Sequence, residues 1–156
     1  MVTPVARTKS DRVRTPGRPR SHCPINFGLE IFGDRWTLLV LRDLLLQHKR
    51  RFSDFLASEE RIATNILSDR LRRLERSGLV EVHTSPSDRR AREYAPTAAA
   101  RALVPVLVEM AFWGASHDAQ TASPAAFAEA YRRDRAALLA FLAAGGDPTK
   151  EPRDQK

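Results

Sequence analysis

The chain carries one cysteine, Cys23, and four histidines, His22, His48, His83 and His117. A lone thiol becomes reactive as the thiolate, which nearby cations favour, and Arg20 and His22 are close in sequence. With no second cysteine, oxidation would give a sulfenic acid, a mixed disulfide or a bond between subunits. Cys23 is therefore a redox candidate, weighed against a small residue that packs the first helix. The histidines show no metal-ligand spacing, so no metal or other cofactor is expected. A Gly-rich phosphate loop and a nucleophile elbow are both missing, which argues against an enzyme.

The residue types that can do chemistry in number are basic and amide side chains. Lys plus Arg is 26 against 19 for Asp plus Glu, a formal charge of +7. An excess of this sign points to an anionic partner, with nucleic acid first. Its placement is uneven: +5 in residues 1–22, −1 in 23–60, +3 in 61–96 and zero in 97–156. In the +3 segment, Ile62–Arg76 has the strongest helical period in the chain. At about 100° per residue, Ala63, Leu67, Leu71 and Leu74 share one face, and Asn65, Asp69, Arg72 and Arg76 the other, flanked by Ser68 and Arg73.

That helix suits the DNA major groove, where base edges distinguish all four base pairs. Residues near a recognition helix N-terminus usually reach the bases. Thr64, Asn65 and Ser68 are thus candidates for base or phosphate contact, and Arg72 and Arg73 for phosphate. Arg70 borders the apolar face, where a structural ion pair competes with a phosphate contact. Asp69 can accept from cytosine or hold an arginine. Arg89 and Arg90 lie where a hairpin tip would carry them to phosphates or into the minor groove. Arg92 can brace the hairpin. Lys49, Arg50 and Arg51 precede a short helix and face the alternatives of phosphate and solvent.

The elements that must position these residues read as mainly α with a small β-hairpin. Residues 1–22 are rich in Pro, Arg, Ser and Thr and are expected to be a disordered basic tail. Gly17-Arg18-Pro19-Arg20 resembles part of an AT-hook, against the alternative of a solubilising tail. Helices are expected over Ile25–Phe32, over Arg35–Gln47 with Asp34 as its cap, over Phe52–Ala57, and over Ile62–Arg76 ending at Ser77-Gly78. Leu79–Thr84 and Arg90–Ala95 alternate as two strands around a Ser85–Asp88 turn. A helix over 98–116, kinked at Pro105, and another over 124–144 follow, then a loose tail over 145–156. The tight helix pair plus hairpin makes residues 23–96 a winged helix-turn-helix. Residues 97–144 are dimerisation helices, with Leu103, Val106, Leu107, Met110, Trp113, Phe127 and Tyr131 as the candidate interface. No apolar run reaches the roughly 20 residues of a membrane span, because Arg42, Asp43 and Glu109 interrupt the best ones. No membrane partner and a cytoplasmic location are expected.

Several motifs carry a family likeness. Cys23-Pro24, Gly33-Asp34-Arg35-Trp36-Thr37, Arg51-Phe52-Ser53-Asp54-Phe55, the run from Arg61 to Val80, and Arg92-Glu93-Tyr94 with Thr97 and Ala102–Leu107 resemble the HxlR-type winged helix-turn-helix regulators. Pro96 and Ala100 depart from the leucine and glycine usual in that family. The resemblance implies a homodimeric bacterial transcription factor on double-stranded DNA with an inverted-repeat operator. It also implies a small-molecule or oxidant effector in some members, the latter through a cysteine at the Cys23 position. A non-specific architectural DNA-binding protein is the alternative.

Overall fold

A computed structural model describes residue 13 and residues 21–84, 92–121 and 125–150. Apart from Val13, Ser21 and His22, the basic tail lies outside the described residues, as do the AT-hook-like run, the Ser85–Asp88 turn, Arg89, Arg90 and residues 151–156.

Helix α1 (Pro24–Phe32) opens with proline at its first position, where a missing amide hydrogen costs nothing. Asp34 caps α2 (Arg35–Leu45), accepting from the Thr37 amide at 3.0 Å and from the Thr37 hydroxyl at 2.5 Å. The helix is apolar on most sides and lies at the centre, packed against α1, against the later helices Thr64–Arg76, Ala98–Arg101 and Val104–His117, and against the strand Arg92–Pro96. Helix α3 (Phe52–Leu56) and helix α4 (Thr64–Arg76) follow. Leu67, Leu71 and Leu74 are fully buried, and together with Phe55 and Leu41 they join α4 to the core. Ala63 is not part of that face, since it caps α4 in an extended conformation and is exposed. Gly78 ends the run with a φ of 75°, a conformation glycine adopts without strain.

Strands β1 (Val80–Thr84) and β2 (Arg92–Pro96) pair antiparallel, with Val80 opposite Pro96 and Thr84 opposite Arg92. Pro96 ends its strand, as a residue without an amide hydrogen must. Thr97 closes the base of the hairpin, its hydroxyl donating to the Gly78 carbonyl at 2.9 Å. The Tyr94 amide donates to the Arg50 carbonyl at 2.8 Å, so the loop before α3 runs along the hairpin's edge.

The C-terminal half differs from the expected pair of long helices. A first helix, α5 (Ala98–Arg101), is capped by Thr97, and Pro105 sits in the first turn of α6 (Val104–His117). The proline therefore starts a helix and does not kink one. The combined stretch Ala98–His117 is long and apolar enough, by length and composition, to cross a membrane. Here it is divided by a turn at Ala102 and Leu103, and Ala100, Val104, Leu107 and Val108 are buried in the core. The expected 124–144 helix is likewise two, α7 (Ala125–Arg133) and α8 (Arg135–Ala143), because Asp134 leaves helical geometry and caps α8 through the Ala137 amide. Residues 145–150 lie near the domain, with the Gly146 carbonyl 3.3 Å from His48 Nε2.

Leu71 is 1% exposed at the centre of the α4 contact. Leu71→Ala should lower stability by about 2–5 kcal/mol, read by urea denaturation, with α4 as the element that loses its packing.

Candidate DNA-binding interface

A buried carboxylate sets the frame of the site. Asp43, near the end of α2, is 3% exposed. Its Oδ2 accepts from Lys49 Nζ at 3.0 Å and from the Ser58 hydroxyl, and Lys49 also donates to Ser58 Oγ at 2.6 Å. Its Oδ1 accepts from Arg42 at 2.6 Å, and Arg42 reaches on to Glu60 at 2.5 and 3.0 Å. Charges this well paired survive burial, whereas a lone one would not. One cluster thus ties the end of α2 to the loop before α3 and to the turn between α3 and α4. The Arg42 hydrogen bond holds the Glu60 carboxyl down to about 2.

Helix α4 is fastened at two further points. Arg70 Nε lies 3.0 Å from Asp34 at the start of α2, and its NH1 lies 2.8 Å from Asp69. Burial opposes the charge on Asp34. The Thr37 hydrogen bonds and the Arg70 and Arg73 charges outweigh it and leave the Asp34 carboxyl below its ordinary range. Arg73 donates to the Glu30 carbonyl of α1. Arg70, half-buried, is thus engaged in ion pairs on the protein itself, as the structural one of its two readings has it. Arg73, expected on phosphate, is half-buried and uses its bond to the Glu30 carbonyl to brace α1. Lys49 belongs to the Asp43 cluster, and Arg50 donates to the Leu44 and Lys49 carbonyls at 2.7 and 2.8 Å. Both are half-buried and engaged with the protein itself.

What remains outward on α4 is a polar face. Thr64, Asn65, Asp69, Arg72 and Arg76 are exposed, and Ser68 is half-buried. Thr64, Asn65, Ser68 and Arg72 make no internal side-chain hydrogen bond or ion pair among the described residues. Arg51 is 55% exposed and 3.7 Å from Glu93, at the foot of the hairpin. These groups lie on or beside one helix whose opposite side is locked into the core, the arrangement a recognition helix requires. Arg61 joins them, exposed in the turn just before α4 with a φ of 51°, and was missed in the sequence because it lies outside the helical period.

The candidate interface residues divide in two. Leu107 and Phe127 are buried within the chain, and Leu103 and Tyr131 are half-buried. Tyr131 donates to Glu109 at 2.9 Å and stacks on Phe112 with ring centres 3.9 Å apart, which seats α7 on α6. Leu107 and Phe127 are thus core residues and do not wait for a partner. Val106, Met110 and Trp113 are 39%, 50% and 65% exposed. Ile25, Phe27 and Leu29 of α1 are also exposed, a surface the sequence reading did not assign.

Cys23 is exposed at the N-cap of α1, which removes the packing alternative. Among the described residues no group of three or more His, Cys, Asp and Glu side chains is placed to hold a metal ion. Two shallow hollows, one lined by Trp36, Val40 and Phe55 with a cavity volume of about 10 Å³ and one by Phe32, Leu41 and Val106 with about 0 Å³, are open to solvent. Both are far below the roughly 300–1,000 Å³ of small-molecule sites.

A tight helix pair, a second helix with a free polar face and an adjoining two-stranded hairpin define a winged helix-turn-helix protein. The HxlR-like helix-turn-helix family profile matches residues 31–122, more than half of the chain. The chain belongs to this family of transcriptional regulators. It is 33% identical over 92 residues to the uncharacterised HTH-type transcriptional regulator YdeP of Bacillus subtilis (strain 168), covering 59% of this chain and 71% of that one. Among solved structures it is similar to PA1607, described as a candidate transcription factor, with 35% identity and a TM-score of 0.58 over 63% of this chain and 67% of that one. It is also similar to the redox regulator HypR in its oxidised form, with 31% identity and a TM-score of 0.53 over 62% and 98%. The family and these relatives are regulators, not enzymes. Helices α7 and α8 lie beyond the matched residues.

Two tests follow from the division of the charges. Arg73→Ala should cost about 1–3 kcal/mol, since its guanidinium braces a backbone carbonyl. Arg72→Ala should stay within about 0.5 kcal/mol of wild type, both read by urea denaturation. Because the folded Glu60 carboxyl sits near 2 against an ordinary 4.5, its contribution is whole above pH 4.5 and fades as pH falls toward 2. Glu60→Gln should therefore flatten the loss of stability across that window, measured by urea midpoints at pH 6 and pH 3.

Proposed function

We propose that the protein is a homodimeric, sequence-specific transcriptional regulator that binds an inverted-repeat operator on double-stranded DNA in the cytoplasm. The observation that carries this reading is the outward face of α4, where Asn65, Ser68 and Arg72 have no internal partner among the described residues while the opposite face is locked into the core. Thr64, Asn65 and Ser68 meet base edges or nearby phosphates, and Arg72 meets phosphate. Arg51 contacts the backbone beside the hairpin. Arg89 and Arg90, outside the described residues, extend that contact from the hairpin tip.

Dimer formation is supported by apolar side chains left in solvent. Val106, Met110 and Trp113 recur at spacings of four and three along α6 and so share one face. Ile25 and Leu29 lie one turn apart on α1. Burying these against a second copy removes apolar surface from water and gives the molecule a two-fold axis. That axis sets two recognition helices about 34 Å apart, or a multiple of it, along the operator. The exposed Cys23 thiol and the likeness to HypR support a response to oxidants in which oxidation of Cys23 changes operator affinity.

The test is selection of an operator from a random duplex pool, followed by competition against random duplex at physiological salt. Wild type should keep a preference of about 10³-fold or more, and a preference near unity would leave an architectural protein. Arg72→Ala should lower the salt slope of log affinity by about 1. Light scattering at micromolar concentration should give a dimer, and Trp113→Glu should shift it toward monomer. Cys23→Ser should remove any change that peroxide makes to operator binding; identical peroxide responses in both proteins would reject the sensor role.

A further inference from the structure

The turn between α3 and α4 holds a non-glycine residue in the left-handed region, where L side chains are crowded by their own backbone. Helix-turn-helix turns commonly place glycine in such a position. Here it is Arg61, with a φ of 51°. His48 is the other described non-glycine residue with a positive φ, and its ring has an internal partner in the Gly146 carbonyl. Arg61 has none. Its amide donates to the Ser58 carbonyl at 3.0 Å, but its guanidinium makes no hydrogen bond or ion pair among the described residues, and the residue is exposed.

The surroundings explain how the strain is held. Ser58 is fixed in the Asp43 cluster and Glu60 is fixed by Arg42. On the other side Ile62 is buried at 7% exposure. The chain between these anchors must turn sharply, and the residue in the middle is directed outward. A strained conformation held by fixed neighbours, with a cationic side chain that does nothing for the fold, points to a role outside the fold.

We infer that Arg61 is a DNA-contacting residue, its guanidinium pairing with a backbone phosphate at the entrance of the recognition helix. This rests on the DNA-binding reading above. The residue stands three positions before Thr64, at the end of α4 that meets the groove. Its charge is unspent, unlike that of Lys49, Arg50, Arg70 and Arg73. A phosphate contact would position α4 and add affinity without adding sequence preference.

The experiment compares wild type, Arg61→Gly and Arg61→Asn on the operator recovered by selection and on a random-sequence duplex. Glycine accepts the left-handed backbone freely and asparagine tolerates it. Thermal unfolding of both variants should occur at or above the wild-type Tm, within a few degrees. Affinity should fall about 10-fold on both duplexes, with the salt slope lowered by about 0.9 for the single lost phosphate. Three results would overturn the inference: unchanged affinity and slope in both variants, a loss confined to the operator, or a clearly lowered Tm in Arg61→Gly. Failure of wild type to bind any duplex would instead remove the DNA-binding reading, and the inference with it.

Discussion

The site depends on one buried carboxylate. Asp43 sits at 3% exposure and gathers Arg42, Lys49 and Ser58 around it, with Glu60 joined through Arg42. The cost of placing an ion there is offset only because each oxygen is paired. The return is geometric. Three separate pieces of chain, the end of α2, the loop before α3 and the turn before α4, are held in register by one group. The Tyr94 amide bonds to that same loop at Arg50, so the hairpin is placed by the same frame. Recognition helix and wing therefore take their relative position from Asp43 and the leucines beneath α4.

The cluster also changes what the net charge means. A total of +7 suggests a surface broadly attracted to polyanions. Within the winged domain much of the positive charge is committed internally: Arg42 and Lys49 to Asp43, Arg70 to Asp34, and Arg50 and Arg73 to backbone carbonyls. Among the described residues of the winged domain the cations left outward are Arg35, Arg51, Arg61, Arg72, Arg76 and Arg92, and half of them stand on α4 or just before it. Contacts of that kind to phosphate position a helix without adding sequence preference.

Much of this frame was legible in the sequence. The leucine period of α4, the Asp34 cap, the glycine at its C-terminus and the alternation of the hairpin each follow from local rules, and each stands in the structure. The partition of the arginines was not legible. Arg73 bonds to a backbone carbonyl 43 residues away, and a carbonyl is carried by every residue, so no side-chain type signals it. Arg72, its neighbour, is left free by a rotation of only about 100° around the helix. The breaks just before Pro105 and at Asp134 were missed for a related reason. Proline in a first turn and aspartate at a cap are both compatible with helix, and tertiary packing decides whether one helix ends there. Leu107 and Phe127 could not be told from interface residues, because an apolar side chain does not reveal whether its cover comes from α7 and α8 or from another chain.

What emerges is a family regulator whose DNA-facing surface is defined as much by which cations are withheld as by which are offered. In the proposed dimer the free face of α4 enters the major groove twice, once from each copy. A chemical footprint of the wild-type protein on its selected operator should show two equal major-groove patches protected from modification, their centres about 34 Å or a multiple of it apart along the duplex. A single patch, or uniform protection along the whole duplex, would contradict it.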